Sequence, residues 1–223
     1  MTTILPISSQ LIHAFAALLL LLSFSMLAQR RILSLVYLLA WQGAVLFGST
    51  MVVAYASGQH HLYYSAALTL LLKAWLLPTI LHRLILRLEV QWDTEPLVNI
   101  PTTLLIGLGL VIFAFGLAQP VSALSTTVSK STLGIAMAVV LLSLMMMITR
   151  RKAVSQVVGF LAMENGLFFA ATSATYGMPM VVELGIALDV LVGVFILGVF
   201  FFHIREQFDS LDLHHMESLK ERD

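Results

Sequence analysis

The sequence has 223 residues, of which 59% are apolar and only 11% are Asp, Glu, Lys or Arg, and its mean hydropathy is +0.95. A soluble domain is about half apolar and about one quarter charged, so the expected solvent of this chain is lipid. The formal net charge is zero, which argues against a nucleic-acid partner. The absence of cysteine excludes disulfides, thiolate nucleophiles and cysteine-held metal or iron–sulfur centres.

The first apolar run is predicted to be a retained helix. The basic pair Arg30–Arg31 follows this run, whereas a signal peptide carries its basic residues before the apolar stretch. A helix needs about 20 apolar residues to cross the hydrocarbon core, and a spanning segment must satisfy its own backbone hydrogen bonds. The sequence therefore predicts an all-α, polytopic membrane protein with seven spans, at about 10–28, 33–55, 62–82, 101–119, 131–148, 155–175 and 180–204.

The basic residues predict the orientation of these spans. Ten of the 12 Lys and Arg residues follow the first, third, fifth and seventh spans, and the opposite loops hold only Lys130. Cytoplasmic loops carry the excess of basic residues, so we expect the N-terminus outside and the C-terminus in the cytoplasm. Residues 83–100 are interpreted as a cytoplasmic loop at the membrane interface. The tail beyond residue 205 is interpreted either as an amphipathic helix on a cytoplasmic partner or as a solvated segment.

Ionisable side chains occupy the middle of three predicted spans. Lys73 lies in the third span, Glu164 in the sixth and Asp189 in the seventh, while Glu183 lies near the outer end of the seventh. A charge at the centre of a lone helix costs about 2.5–3.5 kcal/mol, so these groups are expected to face protein or water and to mark a proton or ion path. The alternative is a static ion pair between Lys73 and one acid, although such pairs stabilise only weakly.

Small residues define a packing stripe on the sixth span. At 100° per residue they fall within about 60° of one another, and Glu164 lies about 180° away. Small residues let a second helix approach closely, so both faces of the sixth span are predicted to meet protein or water rather than lipid. Either this helix is central in the fold, or its Glu164 face meets another subunit. In the seventh span Gly185 and Gly193 flank Asp189 at intervals of four. The stripe of the sixth span consists of Ser155, Gly159, Ala162, Gly166 and Ser173.

The remaining polar residues in or near the spans give weaker indications. Asn165 is expected to hydrogen-bond across helices, and Pro78 to loosen the third span. His82 and His203 are candidates for proton entry or exit, with interfacial placement as the preferred interpretation. No nucleotide motif, nucleophile elbow or metal-ligand cluster is present, so no metal site, no cofactor and no bond-breaking chemistry are predicted for this chain.

Three stretches resemble one known family: LLLKAWLLPTILHR (70–83), GFLAMENGLFF (159–169) and VELGIALDVLVGVFILGVF (182–200). The chain resembles component E of hydrogenase-4 and formate-hydrogenlyase-type membrane complexes over essentially its whole length. Its last three predicted helices, about 131–205, are also similar to the three-helix K subunit of respiratory complex I. In that K-type family, carboxylates on the second and third helices belong to a chain of polar residues that transfers protons.

By position, Glu164 matches the first of these carboxylates and Asp189 the second, where K subunits usually have Glu. Lys73 belongs to the added N-terminal half and is expected to modulate or extend the path. The resemblance implies four parts, namely a three-helix segment with its loop (1–100), a fourth helix with an outer loop (101–130), the K-like unit (131–205) and a tail (206–223).

The resemblance implies a non-catalytic membrane-arm subunit of a complex I-related [NiFe] hydrogenase or formate hydrogenlyase-like complex. Its partners would be antiporter-like and complex I-like membrane subunits, with [NiFe] and iron–sulfur subunits on the cytoplasmic face. Its location would be the cytoplasmic (inner) membrane of a bacterium or archaeon. The alternatives are a subunit of a multisubunit cation/proton antiporter and a scaffold that anchors the peripheral arm. A free-standing transporter fits less well, because the two halves show no internal repeat.

Overall fold

A computed structural model describes residues 7–58, 60–87, 98–123 and 130–175, together with Leu191 and Gly198. This part of the chain is helical and contains no β-strand. The helices are α1 (Ile7–Ala28), α2 (Ile32–Ser57), α3 (His61–Thr69), a π-helical segment (Leu70–Leu76), α4 (Leu77–Arg87), α5 (Ile100–Ala123), α6 (Lys130–Thr149) and α7 (Ala153–Thr175).

Six helices of the described ranges are long and apolar enough to cross a membrane. They are α1, α2, the continuous run of α3, the π-helical segment and α4, then α5, α6 and α7. The first six predicted spans are therefore confirmed as helices, with ends within about five residues of the predicted ones. The seventh predicted span (180–204) lies outside the described residues except for Leu191 and Gly198, so seven spans and the orientation stay predictions.

The turn between α2 and α3 depends on one glycine. Gly58 ends α2 in the left-handed conformation, with φ of 66°, and its N–H donates to the carbonyl of Ala54. A residue with a Cβ is disfavoured at that φ, so glycine is the usual choice after the last turn of a helix. The turn sends α3 back antiparallel to α2.

The centre of the bundle is formed by α2, which packs against α1, α3, the π-helical segment, α4 and α7. The helix α6 packs against α1, α5 and α7. The main buried cluster joins side chains of five of these helices, among them Met26, Leu39, Leu81, Leu142 and Leu161. This packing brings the middle of α7 beside the middle of the third span.

The helix α5 lies at the edge of the bundle and packs mainly on α6. Its outward side exposes Leu105, Ile112 and Phe113. In a membrane such a face contacts either lipid tails or the apolar surface of a neighbouring subunit.

Candidate functional site

A buried ion pair lies at the middle of the bundle. Lys73 comes from the π-helical segment and Glu164 from the centre of α7, and their Nζ and Oε1 atoms are 2.5 Å apart. Lys73 is only 4% exposed and Glu164 only 7%. Each residue is near the midpoint of its span, so the pair is expected at mid-depth of the hydrocarbon core. Pairing reduces the cost that either charge would carry alone.

An aromatic ring gives the lysine a second favourable contact. The Lys73 Nζ lies 4.5 Å from the centroid of the Phe168 ring. Phe168 follows Glu164 by four residues, so α7 presents the carboxylate and the ring on one face. The negative face of an aromatic ring attracts a cation, and more strongly where water is excluded. The ammonium group therefore keeps one electrostatic contact even when the carboxylate is protonated.

Local helix geometry places Lys73 in a widened turn. Leu77 donates its N–H to the carbonyl of Leu72, five residues earlier, which is the π-helical pattern. Pro78 follows at the second residue of α4, and its missing N–H interrupts the regular ladder at the same point. π-Helical turns inside α-helices are frequent at functional sites.

The close approach of α2 to the π-helical segment requires a glycine. A Cβ added at Gly43 would lie 2.7 Å from the carbonyl carbon and oxygen of Lys73 and 2.8 Å from the backbone nitrogen of Ala74. These are backbone atoms and cannot rotate away as a flexible side chain could. Gly43 therefore determines how deeply Lys73 sits in the bundle.

Buried amides extend the polar centre from α7 to α1. The Asn165 Nδ2 donates to the Gln42 Oε1 at 3.4 Å, and the Gln42 Nε2 donates to the Ser23 Oγ at 3.0 Å. The Ser23 Oγ in turn donates to the carbonyl of Leu19 at 2.9 Å. Asn165 adjoins Glu164 in sequence, so this chain of hydrogen bonds fixes the helix that carries the carboxylate.

A second buried cation, Arg150, directly follows the last residue of α6. The Arg150 Nη2 donates to the carbonyls of Met26, Leu27 and Gln29 at 3.3, 2.9 and 2.7 Å. These carbonyls belong to the last turn of α1 and the residues after it, where the helix leaves acceptors unpaired and the dipole favours a cation. Burial lowers the pKa of the Arg150 guanidinium, which nevertheless stays charged. Arg150 therefore holds α1 against α6.

The predicted site residues fall into three groups. The structure brings Lys73, Glu164 and Asn165 together at the polar centre. It places His82 nine residues beyond Lys73, half-buried, with its ring 6.1 Å from that of Tyr37. Asp189, Glu183, His203, Gly185 and Gly193 lie outside the described residues.

The glycines of the predicted packing stripe face α6. A Cβ at Gly159 would lie 2.8 Å from the Met147 side chain, and one at Gly166 would lie 2.9 Å from the Val139 side chain. The opposite face of α7 carries Glu164. Both faces of α7 are thus in contact with protein of the same chain.

Four residues of the polar centre and its surroundings were not singled out from the sequence: Gln42, Gly43, Arg150 and Phe168. Gln42 is a lone amide in a long apolar span, and it is fully buried. The sequence alone could have indicated Gln42, because a polar side chain in the middle of an apolar span needs a hydrogen-bond partner. Arg150 was counted only as one of the basic residues that orient the chain.

The part of the chain that is described contains no group of three His, Cys, Asp or Glu residues that could hold a metal ion. An open groove of about 540 Å³ lies between α1, α2 and α3, near the α2–α3 turn. Met51 and Tyr55 line it, and Met51 is about 12 Å from Gly43 along α2 at 1.5 Å per residue. The groove is therefore separate from the ion pair.

Comparisons with known proteins give two kinds of relative. The uncharacterized protein Rv0085 of Mycobacterium tuberculosis is 38% identical over 194 residues, which cover 86% of this chain and 88% of that protein. Hydrogenase-4 component E of Escherichia coli is 30% identical over 117 residues, as is its namesake in Shigella flexneri.

The component E match covers 52% of this chain and 54% of the relative, so the chain spans about half the length of that protein. No protein-family model and no solved structure matches the chain. The similarity to component E is distant, whereas the similarity to Rv0085 extends over most of both sequences. The chain is thus a multi-pass membrane protein that belongs to the same family as Rv0085 and is distantly related to hydrogenase-4 component E.

Proposed function

We propose that the protein is a non-catalytic membrane-arm subunit of a complex I-related hydrogenase complex, and that it transfers protons through Lys73 and Glu164. One observation carries the proposal: a lysine and a glutamate are buried in contact at the middle of the bundle. Intramembrane ionisable residues typically mark ion paths and proton relays. The distant similarity to component E supports a membrane complex as the setting.

The pair is suited to exchange protons without leaving a lone carboxylate buried. A proton that moves from the Lys73 ammonium to the Glu164 carboxylate converts an ion pair into two neutral groups, so both states have zero net charge. An additional proton on Glu164 leaves one positive charge, which the Phe168 ring stabilises. The costly state, a lone buried carboxylate, is avoided throughout.

In this proposal Asp189 is the second carboxylate of the path and lies one predicted span beyond Glu164. Its placement rests on the K-subunit resemblance of residues 131–205. Glu183, His82 and His203 are secondary candidates nearer the membrane surfaces. The complex would lie in the cytoplasmic membrane, with redox subunits on its cytoplasmic face.

A static scaffold is the main competing function, because buried ion pairs also occur as structural contacts. Arg150 supports this alternative, since it shows that the chain does use a buried cation for packing. The two functions differ in what happens when Glu164 becomes neutral. A scaffold keeps its activity if the subunit still assembles, whereas a proton relay loses it.

The direct test replaces Glu164 with Gln in the intact native complex. We expect normal assembly, judged by copurification of the partner subunits, together with loss of most proton translocation per redox turnover. Gln156→Ala on the exposed side of α7 is the matched control and should leave translocation unchanged. Unchanged translocation in a fully assembled Glu164→Gln complex would contradict the proposal. Mass spectrometry of the copurified proteins identifies the complex independently.

A further inference from the structure

The Lys73 ammonium lies between two attractive groups of α7. Its Nζ contacts the Glu164 Oε1 and lies 4.5 Å from the centroid of the Phe168 ring. All three side chains are buried. The two contacts differ in one respect, because the carboxylate loses its charge when it binds a proton and the ring keeps its attraction.

The ring of Phe168 is held in place by packing. It belongs to a buried apolar cluster that includes Leu19 of α1, Leu46 of α2 and Val139 of α6. Protein interiors are packed about as densely as organic crystals, so a ring in such a cluster has little room to turn away. The ring therefore stays beside Lys73 when the charge of the carboxylate changes.

Two orders of proton transfer are open to the pair. In the first, a proton donor of the path, either a water molecule or a carboxylic acid, protonates Glu164 while Lys73 remains an ammonium. In the second, Lys73 gives its own proton to Glu164 before any other proton arrives. The intermediate of the first order carries one positive charge, and the intermediate of the second order carries none.

The ring favours the first order, because an aromatic face attracts an ammonium and not a neutral amine. In the first order the carboxylate no longer competes for the ammonium, so the ring contact is strongest in the intermediate. In the second order the contact is lost when the amine becomes neutral. A desolvated contact of this kind changes an equilibrium constant by about 30-fold.

We propose that Phe168 is a positioning residue that sets the order of proton transfer. Glu164 is protonated first, while the ring holds Lys73 as an ammonium, and Lys73 gives up a proton only afterwards. This order rests on the proposed function. The contact between the ring and the ammonium does not.

The test weakens the ring contact and keeps the shape of the side chain. Fluorine atoms withdraw electron density from the face of a phenyl ring, so they reduce its attraction for a cation. Phenylalanines with one, two or three fluorine atoms replace Phe168 in the native complex. The control is the same series at Phe169, which is fully buried in the same cluster and lies 100° further round α7.

We expect the rate of proton translocation to fall with each added fluorine at Phe168, by about tenfold with three, because part of the ring contact remains. The rate should stay within about twofold of the unaltered rate in the Phe169 series. An unchanged or rising rate in the Phe168 series would overturn the proposed order, since a weaker ring contact favours the neutral pair. Equal falls in both series would overturn it too, because packing would then be the cause.

The contact itself is measured by the stability of the purified protein. Three fluorine atoms on Phe168 should lower the equilibrium constant for folding several-fold in the unaltered protein. They should change it little in a protein with Lys73→Met and Glu164→Gln, which has no ammonium beside the ring. Equal losses in the two proteins would show that the ring and the lysine are not coupled, which would overturn the inference.

Failure of this inference and failure of the proposed function give different results. Full translocation in an assembled Glu164→Gln complex would overturn the proposed function and the order of transfer, whatever the stability measurement shows of the ring contact. Loss of translocation in Glu164→Gln without a graded response at Phe168 would overturn only the role of Phe168.

Discussion

At the scale of single residues, the Lys73–Glu164 pair combines two opposing energies. Each charge is expensive in the membrane, and the attraction between them offsets this cost only while both are present. Removal of Lys73 leaves the Glu164 carboxylate buried without its counter-ion, whereas removal of Glu164 leaves the Lys73 ammonium with its contact to the Phe168 ring. Stability and function can therefore be separated by comparing single and double substitutions.

We expect Lys73→Met alone and Glu164→Gln alone to behave differently from their combination. Loss of the lysine leaves a buried carboxylate and should destabilise the protein by about 3–5 kcal/mol. The double variant leaves no charge and should recover most of this loss. Unfolding of the purified protein in mixed detergent measures the difference. A double variant no more stable than Lys73→Met would show that the two residues are not energetically coupled.

Arg150 provides a second prediction at this scale. Its guanidinium donates to three carbonyls at the end of α1, and hydrogen bonds from charged groups contribute about 1.5–3 kcal/mol each. Arg150→Met should lower the stability of the α1–α6 contact by several kcal/mol and reduce the amount of folded protein in the membrane. Arg150→Lys should recover little, because an ammonium lacks the planar set of donors. The exposed neighbour Arg151, changed to Met, is the control.

At the scale of elements, the spans could be predicted and the shape of the third span could not. About 20 apolar residues are needed to cross lipid, so the ends of six helices follow closely from composition. The π-helical segment has the sequence LLLKAWL, which is equally compatible with an α-helix. Pro78 predicts a loosened ladder but not a π-helical turn, and the close approach of Gly43 to the Lys73 backbone is visible only in the packed structure.

A prediction about this packing concerns Gly43. Gly43→Ala places a Cβ 2.7 Å from backbone atoms of Lys73, so α2 and the π-helical segment must separate. We expect Lys73 to shift relative to Glu164 and proton translocation to fall, even if the protein assembles. Gly109→Ala in α5 is the matched control, since a Cβ there meets nothing within 4 Å. Full translocation in Gly43→Ala would show that this contact does not position the lysine.

The partner of Lys73 illustrates a second limit of the sequence. Two acids, Glu164 and Asp189, occupy the middle of predicted spans, and spacing along the chain does not decide between them. Glu164 is 91 residues from Lys73, and the two meet because the third span and α7 both pack against α2. The role of Gln42 was not predicted for a related reason, because one amide hardly changes the mean hydropathy of a span.

At the scale of the whole molecule, buried polar contacts join the helices of the bundle to one another. The ion pair, the Asn165–Gln42–Ser23 chain and Arg150 each connect helices that are distant in sequence. A protein surrounded by lipid has no hydrophobic force between its helices, so close packing and hydrogen bonds must hold it together. The same contacts place ionisable groups in the interior.

The distribution of Lys and Arg residues predicts the orientation of the bundle in the membrane. A green fluorescent protein joined after residue 223 should fluoresce, because it folds in the cytoplasm, where the positive-inside rule places the C-terminus. An alkaline phosphatase joined at the same point should be inactive for the same reason. Active phosphatase at this position would contradict either the count of seven spans or the orientation.

The central claim is that Lys73 and Glu164 carry protons rather than only hold helices together. The most direct test measures proton translocation per redox turnover in vesicles of the assembled complex that carries Lys73→Met together with Glu164→Gln. In this variant the buried charges are removed as a pair, so assembly is retained. The account predicts redox turnover with little or no proton translocation. Translocation at the unaltered ratio in this assembled variant would contradict it.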